Sequence, residues 1–125
     1  MNVVDSSAWL EYFADGPNAA EFSGVIADLE DLVVPSITLF EVFKRIRAQR
    51  DAHEALRAVA HMKRGRVIDL DGYLAIMAAD VSAEMRLPLA DSVILATARS
   101  VEATLWTQDA DFEGLEGVEY RAHKS

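Results

Sequence analysis

Asp5, Glu41, Asp91 and Asp109 each stand where a short apolar run ends or a helical pattern begins. Gathered in one pocket, four carboxylates repel: two unit charges about 4 Å apart cost on the order of 4 kcal/mol at an effective dielectric near 20. A divalent cation removes that cost. Hard oxygen ligands without His or Cys suit Mg²⁺ or Mn²⁺. Such a cation can orient a phosphodiester, activate water and stabilise the leaving oxygen. The predicted chemistry is therefore metal-assisted phosphodiester hydrolysis. Asp109 and Asp111 compete for one place in the set, and Asp109 is preferred. Ser7 and Thr107 offer hydroxyls near the same rim, suited to orienting a ligand or a water. His53, His61 and His123 show no ligand spacing and read as surface residues.

The elements that must bring these acids together follow from the apolar pattern. Residues 2–4 form a β-branched run ending at Asp5. A short helix follows, with Trp9, Tyr12 and Phe13 on one face. Residues 17–30 open with Pro17 and place Phe22, Val25, Ile26 and Leu29 on one helical side. Residues 32–34 form a second strand. Ser36 is the expected N-cap of a helix over roughly residues 37–50, with an apolar stripe of Leu39, Phe40, Phe43 and Ile46. Glu41 lies opposite that stripe, in the second turn. Asp51 restarts a helix that Gly65 stops. Residues 67–70 form a third strand. A helix over residues 72–86 is expected to turn Tyr73, Ile76, Met77, Val81 and Met85 inward, and Met62 reads as core. Asp91 is expected to start a deeply buried helix over residues 91–101. Leu105 and Trp106 mark a fourth strand, and residues 118–121 a weak edge strand.

Strands separated by helices imply right-handed crossovers and a parallel sheet covered on both faces. Ligands bind such sheets beyond the carboxyl ends of the strands. That rule carries the acids, from four separate segments, to one end of the sheet. The fold class is α/β: one domain over residues 1–125, a three-layer α/β/α sandwich with about four to five parallel strands.

Composition narrows the field further. With 125 residues, 51% of them hydrophobic, the chain can bury a single core. The absence of cysteine excludes a disulfide framework, a zinc ribbon and a thiol nucleophile. No apolar run approaches membrane-spanning length, and the first residues lack a signal-peptide pattern, so a cytoplasmic location is expected. The net charge of −9 conceals a segregation. Residues 44–66 hold eight Lys and Arg against Asp51 and Glu54, a local +6, which leaves −15 for the remainder.

Four segments carry a resemblance: NVVDSSAWLEYF (2–13), SITLFEVFKRIR (36–47), LPLADSVILATA (87–98) and ATLWTQDADF (103–112). In this order and at this length the chain resembles the PIN-domain family, specifically VapC-type ribonuclease toxins of bacterial toxin–antitoxin pairs. The resemblance implies Mg²⁺- or Mn²⁺-dependent endonucleolytic cleavage of RNA. It implies an acidic quartet of Asp5, Glu41, Asp91 and Asp109, a hydroxyl at Thr107, and a small hydroxyl pair at Ser6 and Ser7. It also implies a homodimer or a toxin–antitoxin hetero-oligomer. In such a complex a small antitoxin sends its C-terminal segment into the toxin groove, with an Arg near the acids. On this reading Asp5, Asp91 and Asp109 hold the metal, Glu41 binds a second metal or positions water, and Lys44 and Arg45 anchor RNA phosphate.

Three rival readings have distinct signatures. A receiver domain needs a late Lys near the acids, and the only one is Lys124. A haloacid-dehalogenase-like phosphatase needs an Asp where Ser7 stands. A PIN-like module that binds RNA or protein with little catalysis is the remaining alternative.

Overall fold

The computed structural model describes residues 1–124. Five strands, β1 (Asn2–Val4), β2 (Leu32–Pro35), β3 (Arg66–Ile68), β4 (Thr104–Thr107) and β5 (Val118–Tyr120), form one sheet in the order β3-β2-β1-β4-β5. Every pairing is parallel. Six α-helices connect and flank them: α1 (Ser6–Phe13), α2 (Ala19–Ala27), α3 (Ser36–Gln49), α4 (Ala52–Met62), α5 (Gly72–Met85) and α6 (Leu89–Ser100). No helix among the described residues is long and apolar enough to cross a membrane.

The strands are short and apolar because both faces are covered. Alternate residues along each strand serve opposite layers. Val3, Val33 and Leu105 pack with Ala78, Val81, Ile94 and Leu95 of α5 and α6. Val4, Leu32 and Val34 pack with Trp9, Phe22, Val42 and Met62 of α1 to α4. These two cores make the three-layer α/β/α sandwich. β1 lies at its centre between β2 and β4, and β5, like β3, is an edge strand, as expected from its weak pattern.

Two expected stripes are offset from the buried ones. On α5, Leu74, Ala78 and Val81 face the core, whereas Tyr73 and Ile76 are 75% and 69% exposed. Met77 and Met85 are half-buried. On α3 the buried stripe is Thr38, Val42 and Ile46, and Phe40 is 64% exposed. The cause is the same in both. Choosing the largest apolar residues rotates the stripe by about one residue, roughly 100° of helix. Thr38 is buried without penalty because its hydroxyl donates to the Pro35 carbonyl at 2.7 Å.

Helix starts also shift. Pro35 precedes α3, so Ser36 is its first residue rather than its cap, and the Ser36 hydroxyl accepts the Leu70 N–H at 3.3 Å. Pro88 precedes α6, so the helix opens at Leu89 and Asp91 sits inside the first turn. Asp91 therefore caps nothing. Asp51 and Asp71 do cap α4 and α5, accepting the Glu54 and Leu74 N–H groups at 2.8 and 2.9 Å.

Candidate metal centre

The carboxyl ends of β1 and β4 are adjacent, and each delivers an acid. Asp5 leaves β1 with its N–H donating to the Trp106 carbonyl at 2.9 Å, which extends the β1–β4 ladder by one bond. Asp5 then caps α1, accepting the Ser7 N–H. Thr107 ends β4, and Asp109 caps a single 3₁₀ turn, Ala110–Phe112, by accepting the Asp111 N–H at 2.9 Å. This turn folds Asp111 back beside Asp109. Asp91, Asp109 and Asp111 each offer a carboxylate oxygen, and these oxygens lie within 4.8 Å of one another.

Asp5 is 3% exposed and holds its two oxygens in different surroundings. Oδ2 accepts from the Ser7 hydroxyl at 2.6 Å, the Thr107 hydroxyl at 2.9 Å and the Ser7 N–H at 3.3 Å. Oδ1 accepts from none of the described residues and is not sealed from solvent. The hydroxyls are themselves fixed. Ser7 Oγ accepts the Gln108 N–H at 3.2 Å, and Thr107 Oγ1 accepts the Asp109 N–H at 2.9 Å. Each hydroxyl thus directs its single proton at Asp5. Glu41 is oriented separately: its Oε1 accepts from the Ser6 hydroxyl at 2.7 Å.

The electrostatics record the crowding. Asp91 is pushed up to about 7, first by burial and then by the charges of Asp5, Asp109, Glu41 and Asp111. Burial also pushes Asp5 up, against the lowering effect of the Ser7 and Thr107 hydroxyls. Among the described residues no Lys, Arg or His forms a salt bridge with any of these five acids. The site is an all-oxygen donor set with no salt-bridge partner, and Asp5 Oδ1 is among its unbonded carboxylate oxygens. That set fits a hard divalent cation such as Mg²⁺ or Mn²⁺.

Asp5, Glu41, Asp91 and Asp109 thus come together, with Ser7 and Thr107 beneath them. Asp111 lies beside Asp91 and Asp109 rather than apart from them. The two basic neighbours of Glu41 part company. Arg45 lines a groove of about 850 Å³ that begins at Ser7 and Gln108 and runs past Tyr12 and Phe13. Lys44 lies over the Phe40 ring at 5.7 Å, in a separate apolar groove with Leu39 and Phe43. Trp9 is wholly buried core, but Tyr12 and Phe13 are half-buried walls of the first groove. His61 is not a plain surface residue. It packs edge-on to Trp9 and Phe13, and burial with nearby Arg64 lowers its pKa. Gln108 and Asn18, which hydrogen-bond to each other at 3.0 Å beside the site, carried no local signal.

A family model described as the PIN domain matches residues 3–118. No curated protein matches the sequence significantly. Several solved structures share the fold. A chain of a toxin–antitoxin complex from Klebsiella pneumoniae aligns with a TM-score of 0.79 at 22% identity, over 95% of this chain and 96% of that one. A chain of DNA-bound VapBC from Salmonella typhimurium gives 0.74 at 20% identity, over 98% of each. VapC20 of Mycobacterium tuberculosis, described as a sarcin-ricin loop cleaving toxin, gives 0.75 at 18% identity, over 90% of this chain and 92% of that one. At these identities the likeness is one of fold.

Proposed function

The chain belongs to the PIN-domain family, and from that premise we propose that it is a metal-dependent endoribonuclease and the toxin of a toxin–antitoxin pair. The observation that carries the catalytic part is the convergence of five carboxylates with no cationic side chain among them. Asp91, Asp109, Asp111 and Asp5 Oδ1 would hold Mg²⁺ or Mn²⁺, and Glu41 would hold a second ion or orient water. A bound cation supplies Lewis-acid polarisation of a phosphoryl oxygen and activation of water.

The chain's own residues prepare that site. Ser7 and Thr107 oppose the upward push that burial exerts on Asp5, because both donate to its charged form. Ser6 fixes the rotamer of Glu41. Arg45, at the groove mouth, is placed to hold a phosphate of the strand entering the acid cluster. Lys44 faces another groove and is withdrawn from that role. The same groove suits a small inhibitor. An apolar antitoxin segment would lie against Tyr12 and Phe13, with a basic side chain reaching the acids. The fold relatives from toxin–antitoxin complexes support this partner and an oligomeric assembly. A cytoplasmic location belongs to the same reading.

The test compares wild type with Asp5→Asn on a structured RNA, with Mg²⁺ or Mn²⁺ and with excess EDTA. The expected result is cleavage by wild type alone, abolished by EDTA. Equal cleavage by both proteins, or cleavage that survives EDTA, refutes the proposal.

A further inference from the structure

We propose that Asn18 is a positioning residue for the metal centre, acting through Gln108 on the loop that carries Asp109 and Asp111. This rests on the metal-site reading above.

Asn18 lies in the α1–α2 connection, 90 residues away from Gln108 in sequence, and is 1% exposed. Its Nδ2 donates to Gln108 Oε1 at 3.0 Å and to the Ala122 carbonyl at 2.9 Å. A main-chain carbonyl can only accept, so the amide nitrogen must face this way. The side chain therefore clamps two segments at once: the loop after β4 and the tail after β5.

Gln108 sits between Thr107 and Asp109, and its N–H donates to Ser7 Oγ. Ser7 Oγ in turn donates to Asp5 Oδ2. The chain of contacts thus runs from Asn18 through both the side chain and backbone of Gln108 to Ser7 and Asp5. The metal-facing acids on either strand end are referred to the same anchor.

Asn18 is itself held. Its N–H donates to Glu11 Oε2 at 2.7 Å in a buried contact. Glu11 is 7% exposed and has no place among the site acids. Gly16 makes room for it, because a Cβ at Gly16 would lie 2.2 Å from Glu11 Oε1. Glu11 and Gly16 thus hold Asn18 in the one position from which it reaches Gln108. Groups that orient metal ligands from behind typically change metal affinity by about 10–100-fold when removed.

The test is calorimetric Mn²⁺ titration of the full chain. It uses wild type, Asn18→Ala, Gln108→Met and Gln108→Glu, with melting temperature and RNA cleavage measured in parallel. Gln108→Met removes the side-chain amide, of which only Oε1 is bonded here, and spares the buried Asn18, so it serves if Asn18→Ala folds poorly. Gln108→Glu keeps an acceptor for Asn18 Nδ2. The expected result is Mn²⁺ binding weakened about tenfold or more in Asn18→Ala and Gln108→Met, and retained in Gln108→Glu. In cleavage, kcat falls at saturating RNA while KM for RNA holds. Unchanged Mn²⁺ affinity in folded Gln108→Met, or equal loss in Gln108→Glu, overturns the role of Asn18 while leaving the metal site standing. Absence of Mn²⁺ binding by wild type overturns both.

Discussion

Replacing Asp91 by Asn should make the metal-free protein more stable, although it disables the metal site. Asn has nearly the same shape and removes the charge. Asp91 rises from 3.8 to about 7 in the fold. Its carboxylate is therefore disfavoured by folding, since the unfolded chain ionises it freely. The wild type keeps its full stability below 3.8, where Asp91 is protonated in both states, and loses it progressively as pH climbs to about 7. At about 1.36 kcal/mol per pKa unit, the shift sets an upper bound of about 4 kcal/mol. Asp91 is only half-buried, so solvent and counterions screen the repulsion, and about 1 to 2 kcal/mol is expected. For a domain of this size that corresponds to about 4 to 8 °C in Tm. The assay is thermal denaturation in EDTA near pH 8 and near pH 5, for wild type and Asp91→Asn. The gain should be largest near pH 8 and smaller near pH 5, where part of the population is protonated in the fold. Mn²⁺ should then reverse the order, because a cation at 100 times its Kd adds about 2.7 kcal/mol to the state that binds it. An Asn variant no more stable than wild type near pH 8, or stabilised equally by Mn²⁺, would refute the argument that Asp91 is strained by its neighbours.

Three other outcomes follow from the same geometry. Thr107→Val keeps the shape but removes a donor to buried Asp5 and the acceptor of the Asp109 N–H; urea unfolding should show a loss of about 1–3 kcal/mol, and Mn²⁺ affinity at neutral pH should fall because Asp5 is protonated more readily. Mn²⁺ affinity of wild type should rise with pH up to about 7 and then level off, since the cation must displace the proton that Asp91 holds; titrations across that range check it, and a flat profile speaks against Asp91 as a ligand. Arg45→Ala should raise KM for RNA and flatten its salt dependence by about one phosphate contact, whereas Lys44→Ala should leave both unchanged, because Arg45, and not Lys44, lines the groove with Ser7.

What the residues disclosed in advance, and what they did not, divides by the range of the interactions. Asp5 and Asp109 were legible because each follows a short apolar strand, and a parallel sheet sends all its strand ends to one side. Asp91 was legible as a site acid, yet its place was misjudged by two residues. Pro88, not Asp91, precedes the helix, and that displacement frees Asp91 from capping. The stripes on α3 and α5 were misread because Phe40, Tyr73 and Ile76 are larger than the Val42, Leu74 and Ala78 that face the core. Size marks what is apolar but not which of two adjacent helical registers is buried. Asp111 was ranked behind Asp109 because the 3₁₀ turn that unites them is made by Asp109 itself. Asn18 and Gln108 were invisible because their contact spans 90 residues and belongs to no motif.

These divisions bear on how an acidic chain can be built to handle an anionic substrate. The basic surplus of residues 44–66 looks like one patch in sequence, but α3 distributes it: Arg45 lines the groove with Ser7 and Gln108, and Lys44 lies over Phe40. Charge segregation along the chain therefore overstates the field at the site. The stronger device is the asymmetry of Asp5. Three donors converge on Oδ2 and none reach Oδ1. The fold thus fixes Oδ2 and leaves Oδ1 open beside Asp91 and its neighbours, where a ligand can meet it. The fold bears the burial and mutual repulsion of these acids at the strand ends, and a divalent cation would relieve it.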